Sequence, residues 1–68
     1  MKPMNAREAE SYLRRFGFAR KSSRGGHLKL FNPTSGRSAI IPVHAGRTLP
    51  QGTLLSIFRQ AGVEPPKR

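Results

Sequence analysis

The chain contains no cysteine and no aspartate, and only three glutamates. Without cysteine there is no disulfide, no thiolate metal site and no cysteine nucleophile. That fits a reducing compartment, and a cytoplasmic location is expected. No apolar run approaches the roughly 20 residues that a membrane span needs. No segment pairs a basic helical face with a strongly apolar one, so no membrane partner is expected either. Met1-Lys2-Pro3-Met4 carries one charge with no apolar stretch behind it, unlike a signal peptide. At 68 residues the chain makes a single domain, residues 1–68, with 64–68 read as a tail. A core this small is marginal without a staple or a partner.

The scarcity of acid excludes most hydrolytic chemistry. Glu8, Glu10 and Glu64 all lie near the ends, and no carboxylate falls between Ser11 and Val63. Paired-carboxylate catalysis has neither of its members in the central stretch. A two-metal nuclease needs a carboxylate cage. A Ser-His-acid triad lacks its acid, and two histidines are too few for a zinc site. There is no Walker-type phosphate loop. No metal and no small-molecule cofactor is therefore expected.

What the chain has in abundance is positive charge. Thirteen Lys and Arg residues give a formal net charge of +10. The acid-free stretch holds Arg14, Arg15, Arg20, Lys21, Arg24, Lys29, Arg37, Arg47 and Arg59. Such a surface repels itself, and a polyanion would relieve it while releasing its own condensed counterions. Nucleic acid is the partner this favours over a merely solvated basic surface.

Periodicity orders the elements. Asn5 to Phe16 reads as a helix, with Asn5 and Glu8 spaced as a capping box. Ala9, Tyr12, Leu13 and Phe16 share one helical face, and Gly17-Phe18 stops it. Phe18–Ser22 reads as a short strand and Ser23–Gly26 as a turn. His27–Phe31 alternates, with Leu28 and Leu30 on one face and His27, Lys29 and Phe31 on the other. Asn32–Gly36 is a second turn. Arg37–Val43 is a β-branched strand whose Pro42 belongs at an edge or near the end. His44–Arg47 is a loop. Thr48 and Gln51 repeat the capping-box spacing before a helix whose apolar face is Leu54, Ile57, Phe58 and Ala61, closed by Gly62-Val63. The order is α-β-β-β-α, an α+β fold. A three-stranded antiparallel sheet would carry two helices on one face and leave His27, Lys29 and Phe31 on the other.

One reaction on nucleic acid needs little beyond these residues. RNA carries its own nucleophile, the 2′-hydroxyl, beside each phosphate. A protein must move a proton near neutral pH, which suits histidine, and stabilise anionic charge, which suits Arg, Lys and backbone N–H groups. Around His27 stand Lys21, Arg24 and Lys29, with Gly25 and Gly26 letting a phosphate approach the backbone. By periodicity alone an exposed strand histidine is more often a contact residue than a catalyst. His44 reads equally as a turn residue or a second proton donor. Phe31 reads as a base-stacking ring or as packing against the first strand.

Four stretches, in order, resemble one family. Tyr12-Leu13-Arg14-Arg15-Phe16-Gly17-Phe18 resembles its helix end, and Arg24-Gly25-Gly26-His27 its glycine–histidine motif. Ile40-Ile41-Pro42-Val43-His44 resembles its Pro-containing strand, and Gln51–Gly62 its closing helix. The chain is similar, from about Asn5 to Val63, to HicA-type toxins, the mRNA interferases of bacterial HicAB toxin–antitoxin modules. The resemblance implies a double-stranded-RNA-binding-domain-like fold, endoribonuclease activity on mRNA with His27 in the catalytic position, and neutralisation by a HicB-type antitoxin. Expected RNA-binding residues are Lys21, Arg24, Gly25, Gly26, Lys29 and Arg37, with His44 as an auxiliary. Gly26 stands where many members have Ser, so no hydroxyl is needed there. The Asn32–Gly36 turn lacks the Asp-Gly common in the family.

Two rivals share the composition. One is a non-catalytic RNA-binding module of the same fold. Duplex-RNA readers usually start their last helix with a lysine cluster, whereas Thr48–Thr53 holds no cation. The other is a ribosomal-type protein that orders only on RNA, against which the capped, patterned helices argue.

Overall fold

Asn5 begins the first helix as the spacing demands. Its side chain accepts from the Glu8 N–H at 2.8 Å, and the Glu8 carboxylate accepts from the Asn5 N–H at 2.9 Å. This reciprocal box satisfies two of the orphan donors that every helix start exposes, a device worth about 1 kcal/mol. In the computed structural model, which describes residues 2–44 and 46–66, the helix α1 runs Ala6–Arg14. Three strands follow, β1 Ala19–Arg24, β2 His27–Phe31 and β3 Ser38–Pro42, and then the helix α2, Gln51–Ala61. The sheet is antiparallel in the order β1-β2-β3.

The register sorts the two faces. Leu28 pairs with Ile41 and Leu30 with Ala39, and all four are buried. They meet Ala9 and Leu13 of α1 and Leu54, Ile57, Phe58 and Ala61 of α2 in one core, closed at its rim by Met4, Phe18 and Leu49. The alternate positions form the open face. On it Arg24, His27 and Pro42 lie in one row, Ser22, Lys29 and Ile40 in the next, and Ala19, Phe31 and Ser38 in the last.

Both sheet edges are guarded. Pro42 ends β3 with no N–H to offer, and the Ile40 N–H is taken by Gln60 Oε1 of α2 at 3.2 Å. On the other edge β1 carries a bulge between Arg20 and Ser22, and none of its six residues is buried. A bulge and a row of cations are standard protection against stray strand pairing.

Three local expectations are corrected. The periodicity puts Phe16 on the apolar face of the first helix, but it is 48% exposed. The helix ends two residues earlier and the chain tightens, with the Phe16 N–H donating to Leu13 O, before Gly17 turns at φ +97°. The stop itself is as expected, for Phe18 is buried and its N–H returns to Leu13 O. The second helix does not take Thr48 as its N-cap residue. Pro50 is the N-cap residue of α2, without a side-chain cap, while Thr48 is bridged to Asn5. β1 begins and ends later than the sequence implies, at Ala19 and Arg24.

Two further contacts tie the periphery. Buried Asn32 donates from Nδ2 to Phe16 O and accepts at Oδ1 from the Thr34 N–H, pinning the β2–β3 turn to the end of α1. The segment read as a tail folds back as far as it is described: the Tyr12 hydroxyl donates to Glu64 O, and Pro65 and Pro66 are half-buried. Lys67 and Arg68 of that tail lie outside the described residues.

Candidate nucleic-acid interface

The β1–β2 hairpin is made by its glycines. Gly25 and Gly26 have φ of +55° and +80°. Positive φ at both central residues is the requirement of the two-residue turn that matches strand twist. A side chain at Gly25 would meet nothing within 4 Å, so the backbone here faces open space. The turn delivers His27 as the first residue of β2, exposed, directly opposite Arg24. Lys29 follows two residues on, on the same face. Lys21, at the bulge, holds its Nζ 4.9 Å from the centroid of the Phe31 ring, a cation–π contact. Phe31 pairs with Ala19 and is half-buried, as are Lys29, Ser38 and Pro42 of the same face.

The structure thus gathers Arg24, Gly25, Gly26, His27 and Lys29 at one end of the open face, while Lys21 turns its ammonium toward Phe31 at the other end of β2. Arg37 does not join them. It precedes β3 at the opposite end, about 13 Å along a five-residue strand. Its guanidinium lies over Gly62, where a Cβ would come within 2.6 Å of Nε, and it donates to Gln60 O at 3.4 Å. His44 and His27 line different clefts. That of His44, about 470 Å³ beside α1, is shared with Arg7, Glu10, Arg20 and Val43, whereas His27 lines a cleft between β3 and α2.

The carboxylates are placed elsewhere. Glu8 is committed to the α1 cap. Glu10, buried on α1, accepts from Arg20 of β1 at 2.9 and 3.1 Å and from Arg14 at 3.3 Å. The Arg20 hydrogen bond, opposed by burial and aided by the two nearby charges, holds the Glu10 carboxyl below its ordinary value of 4.5. A depressed folded-state value means that stability from this group is present above about pH 4.5 and is lost as pH falls through the folded value. The Tm gap between wild type and Glu10→Gln is therefore expected to be full at pH 7 and to shrink below pH 4.5. Thermal melts across that range check it, and a gap that widens in acid contradicts it.

Sequence reasoning missed the Glu10–Arg20 pair and the α2 side of the His27 cleft, which is lined by Thr53, Ser56 and Gln60. The only available signal was Ser56 and Gln60 standing one helical turn apart. Among the described residues, no three His, Asp or Glu side chains gather as a metal site would need, and no helix is long and apolar enough to cross a membrane.

Fold and face together define a small, strongly basic α+β domain of α-β-β-β-α order, with an exposed histidine on a sheet face whose strands bear no carboxylate. A family model described as the HicA toxin of bacterial toxin–antitoxin matches residues 6–63, and the chain belongs to that family. Its members are the toxin half of a toxin–antitoxin pair, which implies a cognate antitoxin. No match to the chain was found among curated proteins.

Proposed function

We propose that this toxin is an endoribonuclease that cuts mRNA in the cytoplasm without a metal ion, with His27 as its proton-transfer group. The observation that carries the reading is the hairpin row: His27 exposed, Arg24 opposite it and Lys29 beside it, on strands free of carboxylate. The 2′-oxygen attacks the adjacent phosphorus and the bond to the 5′-oxygen breaks. His27 takes the 2′-hydroxyl proton, and the departing 5′-oxygen is protonated by water or by the imidazolium so formed. Arg24, Lys29 and the open backbone at Gly25 and Gly26 stabilise the charge that gathers on the phosphoryl oxygens. The products are a 2′,3′-cyclic phosphate and a 5′-hydroxyl.

The test is purified protein with single-stranded RNA and with DNA of the same sequence, in a chelator. RNA is expected to be cut and DNA to bind at low salt but stay intact, since it lacks the nucleophile. Affinity for RNA should fall steeply with salt. A requirement for magnesium, cleavage of DNA, or RNA bound but never cut would each overturn the reading.

A HicB-type antitoxin silences the toxin in this account by covering the open face. An acidic partner surface would compete with RNA for Lys21, Arg24 and Lys29, speeding association and rejecting wrong partners. His27 should then resist a histidine-modifying reagent in the complex. A His27 that stays reactive while activity is suppressed would point to inhibition through the toxin's shape.

A further inference from the structure

We propose that the cleft between β3 and α2 seats one unpaired ribonucleoside, its base and ribose, next to the phosphate handled at His27. This rests on the reading of the protein as an RNA-cutting toxin, and it adds a site for substrate selection. The cleft has a volume of about 420 Å³, and its walls include His27, Ile40, Pro42, Thr53, Ser56 and Gln60. That is the size of a small-ligand site, roughly 300–1,000 Å³.

Its chemistry is unlike that of the hairpin. No Lys, Arg, Asp or Glu lines it, while Lys21, Arg24 and Lys29 lie on β1 and β2. His27 stands at the boundary between a cationic face and a neutral groove. A phosphodiester belongs with the cations. A nucleoside is uncharged, with flat apolar faces and polar edges, and it belongs in the groove. Ile40, 44% exposed on the open face, and Pro42 supply an aliphatic wall against which a base can bury.

The opposite wall is polar and held in place. The Ile40 N–H donates to Gln60 Oε1 at 3.2 Å, and Gln60 Nε2 donates to Ser56 Oγ at 3.4 Å. Ser56 Oγ is thus an acceptor within this chain, which leaves its own hydrogen to donate. Thr53 stands one turn before Ser56 on the same side of α2. The helix that carries them is locked to the sheet by Leu54, Ile57 and Phe58, so the two hydroxyls are preformed. Hydroxyls that both donate and accept suit a base edge or a ribose hydroxyl.

Two measurements test the site. In the first, amide NMR follows the His27→Ala protein as a mixed-sequence single-stranded oligoribonucleotide is added. Shifts are expected at residues 52–56 and 60 as well as in the hairpin, and shifts confined to the hairpin overturn the proposal. In the second, wild type, Ser56→Ala and Thr53→Val cut a random-sequence RNA pool and the fragment ends are sequenced. The variants are expected to change the nucleotide preference at one position beside the cut and to lower kcat/KM about tenfold, the worth of one hydrogen bond, with the salt slope of binding unchanged. An unchanged preference at wild-type rate overturns the site. If wild type cuts no RNA at all, the ribonuclease reading fails, and the amide shifts still decide whether the cleft holds a nucleoside.

Discussion

His27→Ala is expected to abolish RNA cleavage and toxicity while the protein still folds. The two halves of that expectation have separate grounds. His27 is exposed at the start of β2, outside the core, so its side chain adds little to burial. Removing a positioned proton-transfer group costs roughly 10²–10⁴ in rate. Where the rest of the site contributes only charge, that loss takes a toxin below the level that harms a cell. The measurement pairs a cleavage assay with a thermal melt of the same preparation. A variant that cuts at wild-type rate ends the assignment. A variant that fails to melt cooperatively shows that the residue is structural. His44→Ala serves as the comparison and should lose less, because His44 lines a different cleft.

The parts of this fold that could be read from sequence are those with short-range causes. The Asn5–Glu8 box, the glycine stops at Gly17 and Gly62 and the alternation of His27–Phe31 each depend on residues within a few positions, and each is present. Thr48 and Gln51 have the same spacing as Asn5 and Glu8, yet α2 takes Pro50 as its N-cap residue, and Thr48 is bridged to Asn5 from a distant part of the chain. Nothing in the sequence beside Glu10 points to its cross-element partner. Only the packing of α1 on the sheet brings it to Arg20. The candidate site divides in the same way. Its cationic half, Lys21 to Lys29, is one stretch of sequence folded into a hairpin and could be read directly. Its neutral half joins Ile40 to Ser56 and Gln60, and no local pattern announces that meeting. Arg37 shows the converse: its charge was legible, but its place over Gly62 follows from how α2 ends.

Phe58→Ala is expected to leave the isolated chain largely unfolded at 37 °C. Phe58 is 1% exposed and the largest of the fully buried side chains. Its ring meets Tyr12 edge-on at 5.5 Å, joining α2 to α1, and its carbonyl accepts the Val63 N–H that closes α2. Truncating a buried phenylalanine costs about 3–5 kcal/mol. A single core of this size rarely supplies more than about 3–5 kcal/mol in total, so one substitution can spend the whole margin. Loss of α2 also removes Thr53, Ser56 and Gln60 from the His27 cleft and leaves the Ile40 N–H on a bare sheet edge. The decisive measurement is circular dichroism with a thermal ramp on toxin alone and on toxin mixed with its antitoxin. A partner that binds only the folded form raises the apparent Tm by mass action. The variant should therefore regain a cooperative melt at high antitoxin concentration while lacking one alone. A Phe58→Ala protein that melts within a few degrees of wild type would mean that the core stands on the sheet and α1, with α2 contributing little.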